Sequence, residues 1–266
     1  MTAPRFIRRA RPGLGTLVEV GVRIPDGLDE GSAMGWADGA IRAAWQAVAQ
    51  VEGAMSRFER GSDVWRFNQA PAGAILPVSA ETAVVLRWAA ALARDSGGRF
   101  DVSQGTGASD WSLSRRRGGM LLRKHAGAVR LDLGGIAKGH AVDRAFEALA
   151  ERLGGDPAAA WWVNAGGDLR VHGWELPVRL RDELGGGARP WLGLRDGALA
   201  TSHFGPGARS SLSGAGAEGH RHVSVLSPRC LWSDALTKVV ALSDRADEPL
   251  LGRYRATAWL HPAPGP

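Results

Sequence analysis

The chain has 266 residues, 44% of them hydrophobic, with one cysteine and a formal net charge of +6. That length and composition belong to a folded chain with a sizeable core, as one large domain or two small halves, and exclude a disordered one. Cys230 alone excludes an intrachain disulfide framework, no Cys or His spacing matches a zinc site, and no apolar run is long enough to span a membrane. Residues 16–24 alternate apolar and polar side chains as a strand does, and Pro25-Asp26-Gly27 ends it. From Ser32, read as the N-cap, helical spacing puts Ala37, Ile41, Trp45, Val48 and Val51 on one face. An irregular stretch runs from Met55 to Asn68, and a Pro/Gly loop follows through Pro77.

Ser79 caps a second helix that lasts to Asp95, with Val85, Trp88, Ala89 and Leu92 inward, and Gly97-Gly98 stops it. Residues 103–119, rich in Gly, Ser and Arg, read as a mobile surface loop. Arg130 begins a strand that ends in Gly134-Gly135 and turns into a helix reaching about Leu153, with Val142, Ala145, Phe146 and Leu149 inward and Asp143 facing solvent. Trp161 to His172 reads as two short strands around Gly166-Gly167, and a strand pair is expected over Val178–Leu184 and Trp191–Leu194. Residues 201–219 read as loop, Val223–Leu226 as a short strand, and Asp234 as the start of a last helix to about Leu242. Strands and helices mix without strict βαβ alternation, which predicts an α+β fold.

The most informative run is Arg130 to Asp143. Unpartnered N–H groups and the positive end of the dipole make a helix start receptive to an anion, and paired glycines allow close approach. Only Lys124, Lys138 and Lys238 of the 33 basic residues are lysines. A lysine beside Gly134-Gly135 therefore points to a compact charge set against phosphate or metal-bound oxygen. Asp132 is either a turn former or, with Lys138, part of a polar site. For Asn164 and Asp168 a hairpin turn is explanation enough, and Asp234 alone reads as an N-cap. Neither a P-loop nor a Rossmann fingerprint is present.

Seven segments lie in the order that one family uses. They are Gly15 to Glu19; Met55 to Phe58 with Ser62 and Phe67-Asn68; Gly98 to Asp101; Leu131 to Gly139 with Asp143; Val163 to Asp168; Ala200 to Ser202; and Val223 to Val225 before Ser233 to Leu236. Together they resemble the ApbE family of FAD:protein FMN transferases. The resemblance implies an ApbE-like, T-fold-related α+β domain over residues 1–266, with mixed and antiparallel sheets packed against helices. It also implies two loosely related halves with the FAD site between them. Members bind FAD and Mg²⁺, cleave the pyrophosphate and pass FMN to a threonine of an acceptor flavoprotein. By resemblance Asp132 and Lys138 touch FAD, while Leu14, Phe58, Arg99, Phe100 and Asp101 line the flavin and adenine subsites. The carbonyl of Gly135 and the carboxylate of Asp234 hold the cation, with Thr237 as a further ligand. Asp234, Lys138 and Arg209 are the catalytic candidates.

Three positions depart from the family pattern. Its His-x-x-Asp-Pro-x-x-Gly segment reads here Arg209 to Gly216, so an arginine stands where a base belongs, leaving His203, His220 or His222 to take the proton. Position 238, usually threonine, is lysine, which either repels Mg²⁺ or stands in for it. His140 replaces a usual tyrosine. FAD hydrolysis to FMN and AMP, or FAD binding without catalysis, are the rival readings. The basic residues are spread along the chain, so a solvated arginine-rich surface is expected and no nucleic-acid partner. With no apolar segment after the basic N-terminus, the sequence as written reads as cytoplasmic, or as periplasmic if a leader has been removed.

Overall fold

The structure is a computed structural model that describes residues 4–156, 158–181, 187–204 and 221–261. Its centre is a seven-stranded sheet in the order β1-β2-β6-β7-β10-β11-β12, in which every neighbouring pair is antiparallel. The strands are β1 (Phe6–Gly13), β2 (Thr16–Arg23), β6 (Trp161–Ala165), β7 (Asp168–His172), β10 (Gly197–Phe204), β11 (Arg221–Ser227) and β12 (Thr257–His261). A strand shows alternate side chains to opposite faces, and β6 makes the consequence plain. Trp161, Val163 and Ala165 pack under the helices, while Trp162 joins Leu169, Leu199, Val178 and Leu194 on the other face. Gly21, paired with Trp162 across the ladder, leaves the indole its space, since a Cβ there would lie 2.1 Å from the ring.

The helices are α1 (Glu30–Met55), α2 (Asp63–Gln69), α3 (Ala80–Asp95), α4 (Ala137–Leu153) and α5 (Cys230–Ser243). The expected inner face of α1 is buried, apart from a half-buried Trp45, but its cap is Asp29, whose carboxylate accepts from the N–H of Ser32. Residues 56–68 are more ordered than the sequence suggests: Ser62 caps α2, accepting from the N–H of Trp65 and donating to the carbonyl of Ser56 at 2.6 Å. Ser79 caps α3 as expected, although Trp88 sits at its rim, 40% exposed and edge-on to Trp232. Residues 103–119 are not one loop. They contain β4 (Trp111–Arg116), which with β5 (Gly119–Lys124) and β3 (Ile75–Val78) forms a small sheet in the order β3-β5-β4.

The strand expected from Arg130 does not form: Arg130–Leu133 joins no ladder. Asn68 holds it instead, accepting from the N–H of Leu131 at 2.7 Å and donating to its carbonyl at 2.9 Å, while the N–H of Asp132 reaches the carbonyl of Val102. The strand expected over Val178–Leu184 is β8 (Leu176–Arg181), paired with β9 (Ala188–Leu194), and residues 182–186 lie outside the described ones. Strand β10 extends into the expected loop as far as Phe204. Among the described residues no helix is long and apolar enough to cross a membrane.

Helix α5 begins at Cys230, so Asp234 is not its N-cap but lies in its second turn. The cap comes from α4: Asp143, fully buried and not facing solvent, accepts from the N–H groups of Cys230 and Leu231 at 2.9 and 3.0 Å. The favour is returned, because Asp234 accepts from the N–H of Gly139 on α4 at 3.0 Å. The two helices approach so closely that a Cβ on Gly139 would lie 2.3 Å from the carbonyl oxygen of Cys230. This crossing fixes the floor of the cleft described next.

Candidate active site

A cleft of about 1760 Å³ opens over the start of α4 and continues across the sheet face that carries Trp162, under the β8–β9 hairpin. The N-cap residue of α4, Ile136, offers no side-chain acceptor; the N–H of Ala137 donates to the carbonyl of Leu133, and that of Gly139 to Asp234 from α5. Lys138 lines the cleft from that turn and ion-pairs with Asp168, which is fully buried at the start of β7. Burial and the nearby Asp234 push the Asp168 pKa up to about 6 against the pull of Lys138. For Lys138 burial works against the charge, and Asp168 and Asp234 more than restore it, so its pKa is raised. Asp168 is a residue that sequence reasoning left as a turn former. The other oxygen of its carboxylate has no hydrogen-bond partner among the described residues.

Next to this pair stands a second one. Asp234, fully buried, ion-pairs with Lys238 one turn later on α5, and Lys238 reaches the cleft surface. Burial raises the Asp234 pKa, but Lys238 and Lys138 outweigh it and hold the carboxyl below its ordinary value. The Lys238 ammonium also donates to the carbonyl of Asp234 at 3.0 Å and to the hydroxyl of Ser202 at 3.2 Å. Thr237 points elsewhere: its hydroxyl donates to the carbonyl of Asp234 at 2.7 Å and lies 2.8 Å from Ser202 Oγ, away from solvent.

Around these pairs the cleft is lined by Leu14, Phe58, Arg99, Phe100, Asp101 and Asp132, and by Gly135 at its floor. Leu14 adopts φ +55° at the tip of the β1–β2 hairpin and donates its N–H to Glu52. Phe58 is 78% exposed under the Arg57 guanidinium, an aromatic face offered to the cleft. Asp132 accepts from the N–H of Gly134 and from Gln104, and pairs with Arg57 at 3.3 Å. Arg99 is partnered by Glu248, and the Asp101 carboxylate folds back on Ser103 and Gly105 to shape its own loop. Arg209 and His220 lie outside the described residues, whereas His203 and His222 line the cleft with their rings stacked at 4.8 Å. Among the described lining residues seven Arg and Lys side chains face three carboxylates, so the cleft selects for an anion.

The expected magnesium ligands do not fit this arrangement. Mg²⁺ requires near-octahedral oxygen coordination, but the two carboxylate oxygens of Asp234 are engaged by the Lys238 ammonium and the N–H of Gly139, its carbonyl also accepts from Lys238, and Thr237 is turned inward. The Lys238 side chain runs beside Gly135, where a Cβ would meet its Cε at 3.2 Å, and so fills the space between Gly135 and Asp234. Among the described residues no group of three or more His, Cys, Asp or Glu side chains is gathered to hold a metal ion. Asp234 also does not reach the substrate space itself, since Lys238 stands in front of it.

Solved structures share this architecture at low identity. The apo flavinyl transferase ApbE of Pseudomonas stutzeri matches with a TM-score of 0.76 at 19% identity, over 98% of this chain and 92% of that one. The flavin transferase ApbE of Vibrio cholerae matches at 0.76 and 18%, over 98% of both chains. The ApbE protein of Thermotoga maritima matches at 0.75 and 20%, over 97% of both. At such identity the likeness speaks to the fold. No curated protein matches the sequence significantly. The model of the ApbE family covers residues 14–253, and the chain, with its interleaved sheet and helices and its lysine-floored cleft, belongs to that family.

Proposed function

We propose that the chain moves the FMN half of FAD onto a threonine hydroxyl of an acceptor flavoprotein. The observation that carries this reading is the pairing of Lys138 with buried Asp168 at the start of α4, in a large, cation-rich cleft. The cleft exceeds the roughly 300–1,000 Å³ typical of a small-ligand pocket, as a dinucleotide needs. Family membership supports the same substrate. In this reading Lys138 and the positive end of the α4 dipole meet the diphosphate, Phe58, Leu14 and Phe100 offer apolar surface to the rings, and FAD lies between the two halves of the chain.

The chemistry is displacement at phosphorus. The threonine Oγ forms a bond to the phosphorus on the FMN side, the bond from that phosphorus to the bridging oxygen breaks, and AMP leaves with the electron pair. Fixed positive charge stabilises the oxygens on which negative charge grows. The hydroxyl proton passes to a base at the cleft, and His203 and His222 are the histidines that line it among the described residues. An arginine at position 209 supplies charge but not a base near neutral pH.

The test is to mix the purified chain with FAD and a candidate acceptor, and to follow AMP by chromatography and the acceptor by mass spectrometry. Transfer requires AMP release in step with FMN attachment to a threonine. AMP without acceptor means hydrolysis, and tight FAD with no AMP means a binder.

A further inference from the structure

We propose that Lys238 is a tethered replacement for a divalent cation, so that two ammonium groups and no metal ion meet the diphosphate in this cleft. The inference rests on the FAD reading above for its ligand, but not for its geometry. A lysine ammonium has three hydrogens to donate. At Lys238 they find a carboxylate oxygen of Asp234, its backbone carbonyl at 3.0 Å and the Ser202 hydroxyl at 3.2 Å. A carboxylate, a carbonyl and a hydroxyl make the oxygen set that a hard cation selects. The set is present and a cation already sits in it, supplied by the chain.

The fit is made by the helix. Residues four apart share one face of a helix, so a lysine at 238 returns its head to the carboxylate at 234 while its stem passes Gly135. A side chain on Gly135 would crowd that stem. A divalent ion entering the same cradle has to displace the ammonium and then remain beside its positive charge. Asp168 offers no second home, because one oxygen belongs to Lys138 and a single remaining oxygen is far short of an octahedral set. Lys138, Asp168, Asp234 and Lys238 therefore form a quartet of two positive and two negative groups, complete without metal.

Two measurements decide this. In the first, Mn²⁺ alone is titrated into the wild-type chain and into Lys238→Thr and followed by electron paramagnetic resonance. The wild type is expected to leave Mn²⁺ free and the variant to bind it; a tight Mn²⁺ site in the wild type, or none in a folded variant, overturns the proposal. In the second, FAD fluorescence is titrated with EDTA and with Mg²⁺. Equal wild-type affinity in both is expected. Lys238→Thr in EDTA is expected to lose at least about tenfold, because one of the two positive charges beside the diphosphate is gone, and to recover with Mg²⁺. A wild-type affinity that needs Mg²⁺ overturns the proposal. If FAD fails to bind under either condition, the FAD reading falls while the Mn²⁺ result still decides the cradle. If Lys238→Thr does not fold, the two wild-type measurements decide.

Discussion

Asp168 and Lys138 show how burial changes what a charge does. Lys138 stays protonated throughout the accessible range, so the group that titrates is Asp168, whose pKa stands at about 6. A diphosphate bound beside the pair adds negative charge, which favours the protonated carboxyl and raises that pKa further. FAD affinity is therefore expected to be flat at high pH, to rise as pH falls through the pKa of the complex, and to level off below about 6. Fluorescence titration across pH checks this: Asp168→Asn should flatten the curve, and an affinity that drops on acidification contradicts the account. Lys138→Ala should weaken FAD binding by at least about tenfold at neutral pH, and an unchanged affinity removes Lys138 from the site. Lys138 was legible because lysine is rare in this chain and this one stands beside paired glycines. Asp168 was not, because Asn164-Ala-Gly-Gly-Asp168 is a sufficient turn and its partner lies 30 residues away.

The element that sets the floor is the crossing of α4 and α5, and its caps are exchanged between helices. Asp143 satisfies two N–H groups of α5 and holds Arg170 at 2.8 Å, with Arg229 at 3.5 Å. Removing a buried carboxylate leaves an arginine without its partner and a helix start without its acceptor. Asp143→Ala is expected to cost about 3–5 kcal/mol in urea unfolding, with Asp143→Asn milder because it keeps an acceptor. Equal stability of wild type and Asp143→Ala would refute this capping. A sequence shows caps only when they are local, so α5 was given to the nearest aspartate, Asp234, four residues late. The strands β4 and β5 escaped for another reason. Most of β4 is exposed, so its polar run carries no buried alternation to read. Long amphipathic helices such as α3 and α4 were legible nearly to the residue, since their apolar faces are continuous.

At the scale of the molecule, three packed clusters are present: one lines the cleft around Trp162, and the other two share their helices. Along α1, Ala33 to Val48 pack in the core under β2 and β6, whereas Val51 and Met55 pack in the other, with α2, α3 and α5. Helix α4 divides in the same way: Ala141 belongs to one core and Val142 and Ala145 to the other. Neither core can melt without breaking helices on which the other depends, so the chain should unfold as one unit. Calorimetry is expected to give one transition with a van't Hoff enthalpy equal to the calorimetric one. FAD at about 100 times its dissociation constant adds roughly 2.7 kcal/mol to the folded state. For a chain of this size that moves the midpoint upward by roughly 5 °C as a single peak. Two resolved peaks, with FAD shifting only one, would instead mean that the cleft depends on one core alone and that the shared helices do not couple the cores.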